Sequence, residues 1–242
     1  MLHSTSRYQI TVNAMLSLVQ DLEFPDRLLG ADAVKAEGDF DVNKYFSVLK
    51  HISLEPGYIL DYTFMPYLGD LGSCPLIYAR EKDKPSHLNI PDENKETGQL
   101  LFNDFVKYIR TAYMRYIHTD GTEEGFFQFI VLRVMGGQFY LVWHANYLDT
   151  RIVCDQAGLN SVLDSIPEFY EYHTQIVKMQ AKELNLEPKI EFRNDIVLVS
   201  VVTFTKWGGL EQTTYQINRT FPHKVLREGT KTLVEYYCGV KF

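Results

Sequence analysis

The chain has 242 residues, 45% hydrophobic and 23% charged, proportions that exclude a disordered polymer and allow one large domain or two small ones. Its 31 acidic residues outnumber its 24 basic ones for a net charge of −7, which opposes a broad nucleic-acid footprint because phosphate neutralisation needs clustered cations. Three widely spaced cysteines, Cys74, Cys154 and Cys238, form neither a disulfide framework nor a zinc-ligand spacing.

Residues 8–23 carry Met15, Leu16, Val19 and Leu22 at helical spacing, and Phe24-Pro25 ends that pattern. Asp41 is a plausible N-cap for a second helix over 42–53, closed by Pro56-Gly57. From Tyr58 to Met65 apolar residues alternate, predicting a strand with Leu60, Tyr62 and Phe64 on its buried face, and Pro75 to Arg80 supplies the return strand. The polar run 81–96 reads as a long loop, and 98–117 as a third helix.

Residues 125–154 then read as two strands joined at Gly136-Gly137. In that register Phe126, Ile130, Leu132 and Val134 face the core. The opposite face pairs Arg133 with Tyr140, Phe129 with His144, and Phe127 with Asn146. Ser165 and Glu168 form a capping box for a fourth helix carrying Phe169, Tyr172, Ile176 and Met179. Strands follow over 189–193, 196–206, 211–219 and 232–242, the second and third pairing Lys206 with Glu211 across Gly208-Gly209. A Thr, Gln and Asn stripe from Thr203 to Asn218 reads as solvent-facing.

Short connections between successive strands predict an α+β fold with a largely antiparallel sheet and helices packed mainly on one face, in a single domain over 1–242. The segments 98–150 and 167–220 both run helix, strand, Gly-Gly, strand, which suggests duplicated αββ units.

The mixed face of Phe127, Phe129, Arg133, Tyr140, His144 and Asn146 suits a ligand-binding surface, since such sites combine aromatic area with a few donors and acceptors. The leading expectation is therefore a binding or interaction module for a small molecule or protein. Its alternative is a hydrolase or transferase with His144 as general base beside Asp149 or Cys154. His118-Thr119-Asp120-Gly121 places a His and an Asp on one turn, which turn chemistry alone explains. Walker A, GxGxxG, HExxH, EF-hand and GxSxG patterns are absent, so no metal or cofactor is expected. The N-terminal residues lack a signal-peptide pattern and no apolar run reaches membrane-spanning length, predicting a cytoplasmic protein without a membrane segment. A self-associating chain is a further expectation, through the polar second hairpin or the terminal strand.

Overall fold

The computed structural model describes residues 5–29, 35–65, 74–85, 110–142, 150–166, 171–206 and 208–236. It confirms an α+β protein in which every strand among the described residues pairs antiparallel. Helix α1 (Arg7–Leu16) is capped by Ser6 and buries Tyr8, Val12 and Met15. The segment after Asp41 forms a 3-10 turn, Val42–Ser47, rather than the longer predicted helix. Asn43 explains the early stop: its side chain donates to Leu60 O and accepts from Leu60 N–H, both at 2.9 Å, and so binds the turn to a strand. The chain continues as β1 (Ile52–Leu54), then the hairpin of β2 (Tyr58–Met65) and β3 (Cys74–Glu81), close to the predicted bounds.

Of the predicted third helix, 98–109 lie outside the described residues. The remainder is a helical turn followed by a 3-10 segment, Tyr113–Tyr116, and β4 (Ile117–Thr119), which pairs with β1.

The predicted central hairpin is not formed, because Glu123–Met135 is a helix, α2. Its N-cap is Thr122, whose Oγ1 accepts from Gly125 N–H at 3.1 Å, with Glu123 and Glu124 in the first turn where carboxylates suit the helix dipole. Phe126, Phe127, Phe129, Ile130, Val131 and Leu132 are all at most 1% exposed, so every face of the helix is in the core. A helix buried all round shows no apolar stripe, and a run rich in aromatic and β-branched residues then resembles a strand. Gly136 is the C-cap and not a hairpin turn. Two tyrosines from elsewhere satisfy the helix end, Tyr113 donating to Leu132 O at 3.0 Å and Tyr45 to Gly136 O at 2.8 Å. A Cβ on Gly136 would sit 2.5 Å from Leu132 O and 2.9 Å from the Tyr113 hydroxyl, so glycine is needed there. The first αββ unit therefore lacks its hairpin.

Beyond it come β5 (Arg151–Val153) and an unpredicted helix, α3 (Gln156–Asp164), capped by Asp155, whose carboxylate also accepts from Ser6 N–H at 2.8 Å. Ser165, expected to start a helix, closes this one. Helix α4 (Glu171–Ala181) buries Thr174, Val177 and Ala181, while Met179 of the predicted apolar side is 71% exposed. Strands β6 (Lys189–Arg193), β7 (Ile196–Thr205), β8 (Gly209–Asn218) and β9 (Val225–Val234) complete a five-stranded sheet. In β7–β8 Thr203 faces Glu211, three residues away from the predicted pairing, because the ladder closes with Thr205 opposite Gly209. Thr203 is consequently buried, whereas Gln212, Thr214, Gln216 and Asn218 are half-exposed as expected. The final strand ends at Val234, and 237–242 lie outside the described residues.

Both β5 and β6 pair with β7 along the edge opposite β8, β5 against residues 202–204 and β6 against 196–200. Strand β7 serves two cores. Val197, Val199 and Val201 join Tyr215, Ile217, α1 and α2 in the main cluster. Val202 and Phe204, of opposite parity, join Leu159, Leu163 and Val177 of α3 and α4 in a second cluster. Among the described residues no helix is long and apolar enough to cross a membrane.

Candidate ligand-binding cleft

Beyond Gly136 the chain folds back on its own helix. The Gln138 backbone N–H donates to Met135 O at 3.1 Å and its amide to Val134 O at 3.0 Å. Phe139 and Tyr140 then turn into the main core, 3% and 8% exposed. Tyr140 has φ of 52°, a left-handed backbone that costs on the order of 1 kcal/mol in a residue with a side chain. Its surroundings hold it there. Phe40 N–H donates to the Tyr140 hydroxyl at 3.2 Å, and Phe24 meets the ring edge-on at 6.0 Å.

Against this turn lies the end of the second core. The β5–β7 register sets Arg151 opposite Phe204, so guanidinium and ring are cross-strand neighbours on one sheet face. Lys206 follows in the turn just past the end of β7. Helix α3 contributes Ser161 and Val162, and the turn after it Ser165 and Ile166. Together with Leu16 at the end of α1 and Val19 and Gln20 in the turns after it, these groups line a cleft of about 580 Å³ between the two cores. A smaller cavity of about 240 Å³ adjoins it, sharing Gln138 and Leu141, with Arg110 and Arg133 in its wall.

The structure separates the residues of the predicted face. Phe127 and Phe129 are core residues, 1% and 0% exposed, because their segment is helical. Arg133 ends α2, 3.4 Å from Glu228, and borders the smaller cavity. Tyr140 reaches the larger cleft. His144 and Asn146 lie outside the described residues, as does Asp149. Cys154 is 1% exposed; burial, with Asp155 and Glu187 nearby, pushes its thiol pKa far up, which disfavours the thiolate a nucleophile needs. Sequence reading did not join Arg151 to Phe204 and Lys206. Only the pairing of β5 with the distant β7 brings them together, and no local pattern announces that pairing.

The His118–Asp120 turn does gather ionisable groups, though as cross-links of the β1–β4 ladder. His51 meets Asp120 at 2.7 Å, His118 meets Glu55, and the His118 ring stacks on Phe221 at 3.7 Å. Hydrogen bonds from Thr122 and His51 hold Asp120 below the usual carboxylate range despite the opposing effect of burial. Among the described residues, no three His, Cys, Asp or Glu side chains are placed to hold a metal ion.

His223 is 5% exposed, between Phe126 and Phe129 at 5.3 and 5.9 Å. Its Nδ1 lies 3.0 Å from Asn218 O, a pure acceptor, so Nδ1 carries the proton and Nε2 accepts from Thr119 N–H at 3.4 Å. A second proton on Nε2 would oppose the Thr119 N–H and leave the Thr119 hydroxyl, 3.2 Å away, to accept it. Burial first, and His118 next, lower the His223 pKa, outweighing the raising effect of the Asn218 carbonyl. The unfolded chain thus takes up this proton more readily than the fold does. The stability that His223 contributes is full above about pH 6.5 and is lost as pH falls through its folded pKa. Urea midpoints measured between about pH 7.5 and 5 are expected to fall less steeply for His223→Gln than for the wild type; parallel curves would remove this assignment.

No protein family, curated protein or solved structure matches this chain.

Proposed function

We propose that the protein is a small-molecule-binding module whose site is the cleft between its two cores. One observation carries this reading: the cleft of about 580 Å³ combines apolar walls with polar side chains from five separate segments. Its volume lies within the ~300–1,000 Å³ common for small-ligand sites, and its mixture of wall groups is the usual one. A concave site of this size favours a small molecule over a flat protein surface. The strained Tyr140 supports the reading too, since backbone strain tends to persist where function requires a side chain at one position. Free, buried thiols at Cys74 and Cys154 suit a protein of a reducing compartment such as the cytoplasm.

The test fills the cleft. Val162 is partly buried at its wall, and Val162→Trp places an indole in the space a ligand would use. Nile red, a neutral dye that brightens in apolar surroundings, is expected to fluoresce with the wild type and to lose at least about four-fifths of that signal with the variant. Thermal unfolding of both proteins shows that the variant is folded. Equal signals from two folded proteins would end the proposal.

A further inference from the structure

We infer that the cleft selects organic anions, in the form of an amphipathic carboxylate with its head toward Arg151 and Lys206 and its apolar body along Phe139, Ile166 and Phe204. The inference rests on the cleft being the binding site, and it adds the chemical class of the ligand.

Charge distribution is the first argument. The chain carries seven more acidic than basic residues, yet the described wall of the cleft holds two cations and no carboxylate. The adjoining cavity repeats the pattern with Arg110 and Arg133. Arg133 shares its charge with Glu228, which stands outside both walls, and the Arg110 guanidinium lies 4.0 Å from the Cys74 sulfur. Two cations and no carboxylate in the described wall set the cleft apart from the acidic composition of the chain, and charge of one sign lining a cleft favours ligands of the other.

Placement is the second argument. Arg151 and Phe204 are direct cross-strand partners, and Lys206, in the turn just past β7, lines the same cleft, so positive groups and apolar wall share one cavity. Arg151 and Lys206 also interact with other groups of the chain. An arginine fork beside a lysine suits a carboxylate, which accepts two parallel N–H bonds from the one and a point charge from the other. Ser161 and Ser165 add hydroxyls to the wall; Ser165 Oγ already donates to Val162 O at 2.7 Å and still offers lone pairs. The third argument is the apolar remainder. Phe139, Ile166 and Phe204 are all at most 8% exposed and face the cleft, so a small hydrated anion such as inorganic phosphate would leave that surface unused.

The experiment displaces Nile red with three ligands of one chain length: decanoate, decanol and decylammonium. With wild-type protein at low salt and neutral pH, decanoate is expected to displace the dye at concentrations about tenfold below decanol, with decylammonium weakest. Added salt should weaken decanoate alone, because screening acts on the charged head. Lys206→Glu, a change at a half-exposed position just past β7, should remove decanoate's advantage and leave decanol within about twofold. Arg151→Lys keeps the charge without the fork and should give an intermediate decanoate affinity. Decanol or decylammonium binding as well as decanoate would overturn the anion inference and leave the cleft proposal standing. Displacement by none of the three, with the dye bound and lost in Val162→Trp, would do the same. A dye that fails to bind, or that Val162→Trp does not affect, overturns the cleft proposal itself.

Discussion

Phe127→Ala is expected to destabilise the protein by about 3–5 kcal/mol, measured as a loss of unfolding free energy in urea. The ring is 1% exposed and packs 4.6 Å from Tyr8, centroid to centroid, so it fastens α2 to α1. Removing it leaves a cavity between two helices whose positions are also fixed by the Thr122 cap and by the hydroxyls of Tyr45 and Tyr113, so the site has little freedom to collapse. A typical domain is stable by only about 5–15 kcal/mol, which makes this a large fraction of the total. Arg133→Ala is the contrasting change: its carboxylate partner Glu228 is half-exposed, and the effect should stay below about 1 kcal/mol. Were Phe127 part of a solvent-facing sheet, as the hairpin reading has it, the two substitutions would have similar small effects. That outcome would contradict a buried helix at 123–135.

A comparable loss, about 2–4 kcal/mol, is expected for Asp61→Ala. The Asp61 side chain is 4% exposed and accepts from Lys35 Nζ at 2.9 Å, Arg80 Nε at 2.8 Å and Tyr62 N–H at 2.9 Å. Deleting the carboxylate strands two cations that the fold has drawn against a low-dielectric wall. Both are partly exposed, 31% and 22%, and water reaching them keeps the loss toward the lower end of the range. Burial alone would raise the Asp61 pKa, but hydrogen bonds from Arg80 and Lys35 outweigh it and hold it below the usual range. Because the folded pKa is the lower one, this contribution is present above about pH 4 and is lost as pH falls through the folded value. Its window therefore lies below that of His223. Urea midpoints followed into the acid range should drop for the wild type and vary less for Asp61→Asn. An Asp61→Ala protein within about 1 kcal/mol of wild type would show that the buried pair contributes nothing.

Strand signals were legible wherever one face of the strand is wet. Residues 58–65 alternate because β2 has a buried and a less buried side, and Asn194-Asp195 marks a two-residue turn, with Asn194 at φ 32°, that only β6–β7 pairing exploits. The same alternation holds in β8, where Gln212, Thr214 and Gln216 keep the wet side. Legibility failed where an element is buried on every side. Residues 126–132 contain no polar position except Gln128, and Gln128 is itself buried, accepting from His51 N–H at 2.8 Å. With no wet face there is no period to read, and Gly136-Gly137 looked like a turn. The local sign of a helix was present in Thr122-Glu123-Glu124, an N-cap followed by two carboxylates.

By itself the sequence determined the α+β class, the β2–β3 hairpin, the run of strands from 189 onward, and the charge balance that opposes a nucleic-acid partner. Those features rest on neighbouring residues and on composition, which act before the chain closes. Only the tertiary structure decided that 123–135 is a helix, that Tyr140 takes a left-handed turn, and that Arg151 meets Phe204. Each of these is held by partners distant in sequence: Tyr45 and Tyr113 at the helix end, Phe40 at the Tyr140 hydroxyl, and β7 along β5. A local preference worth a fraction of a kcal/mol per residue yields when burial of a whole aromatic face returns several.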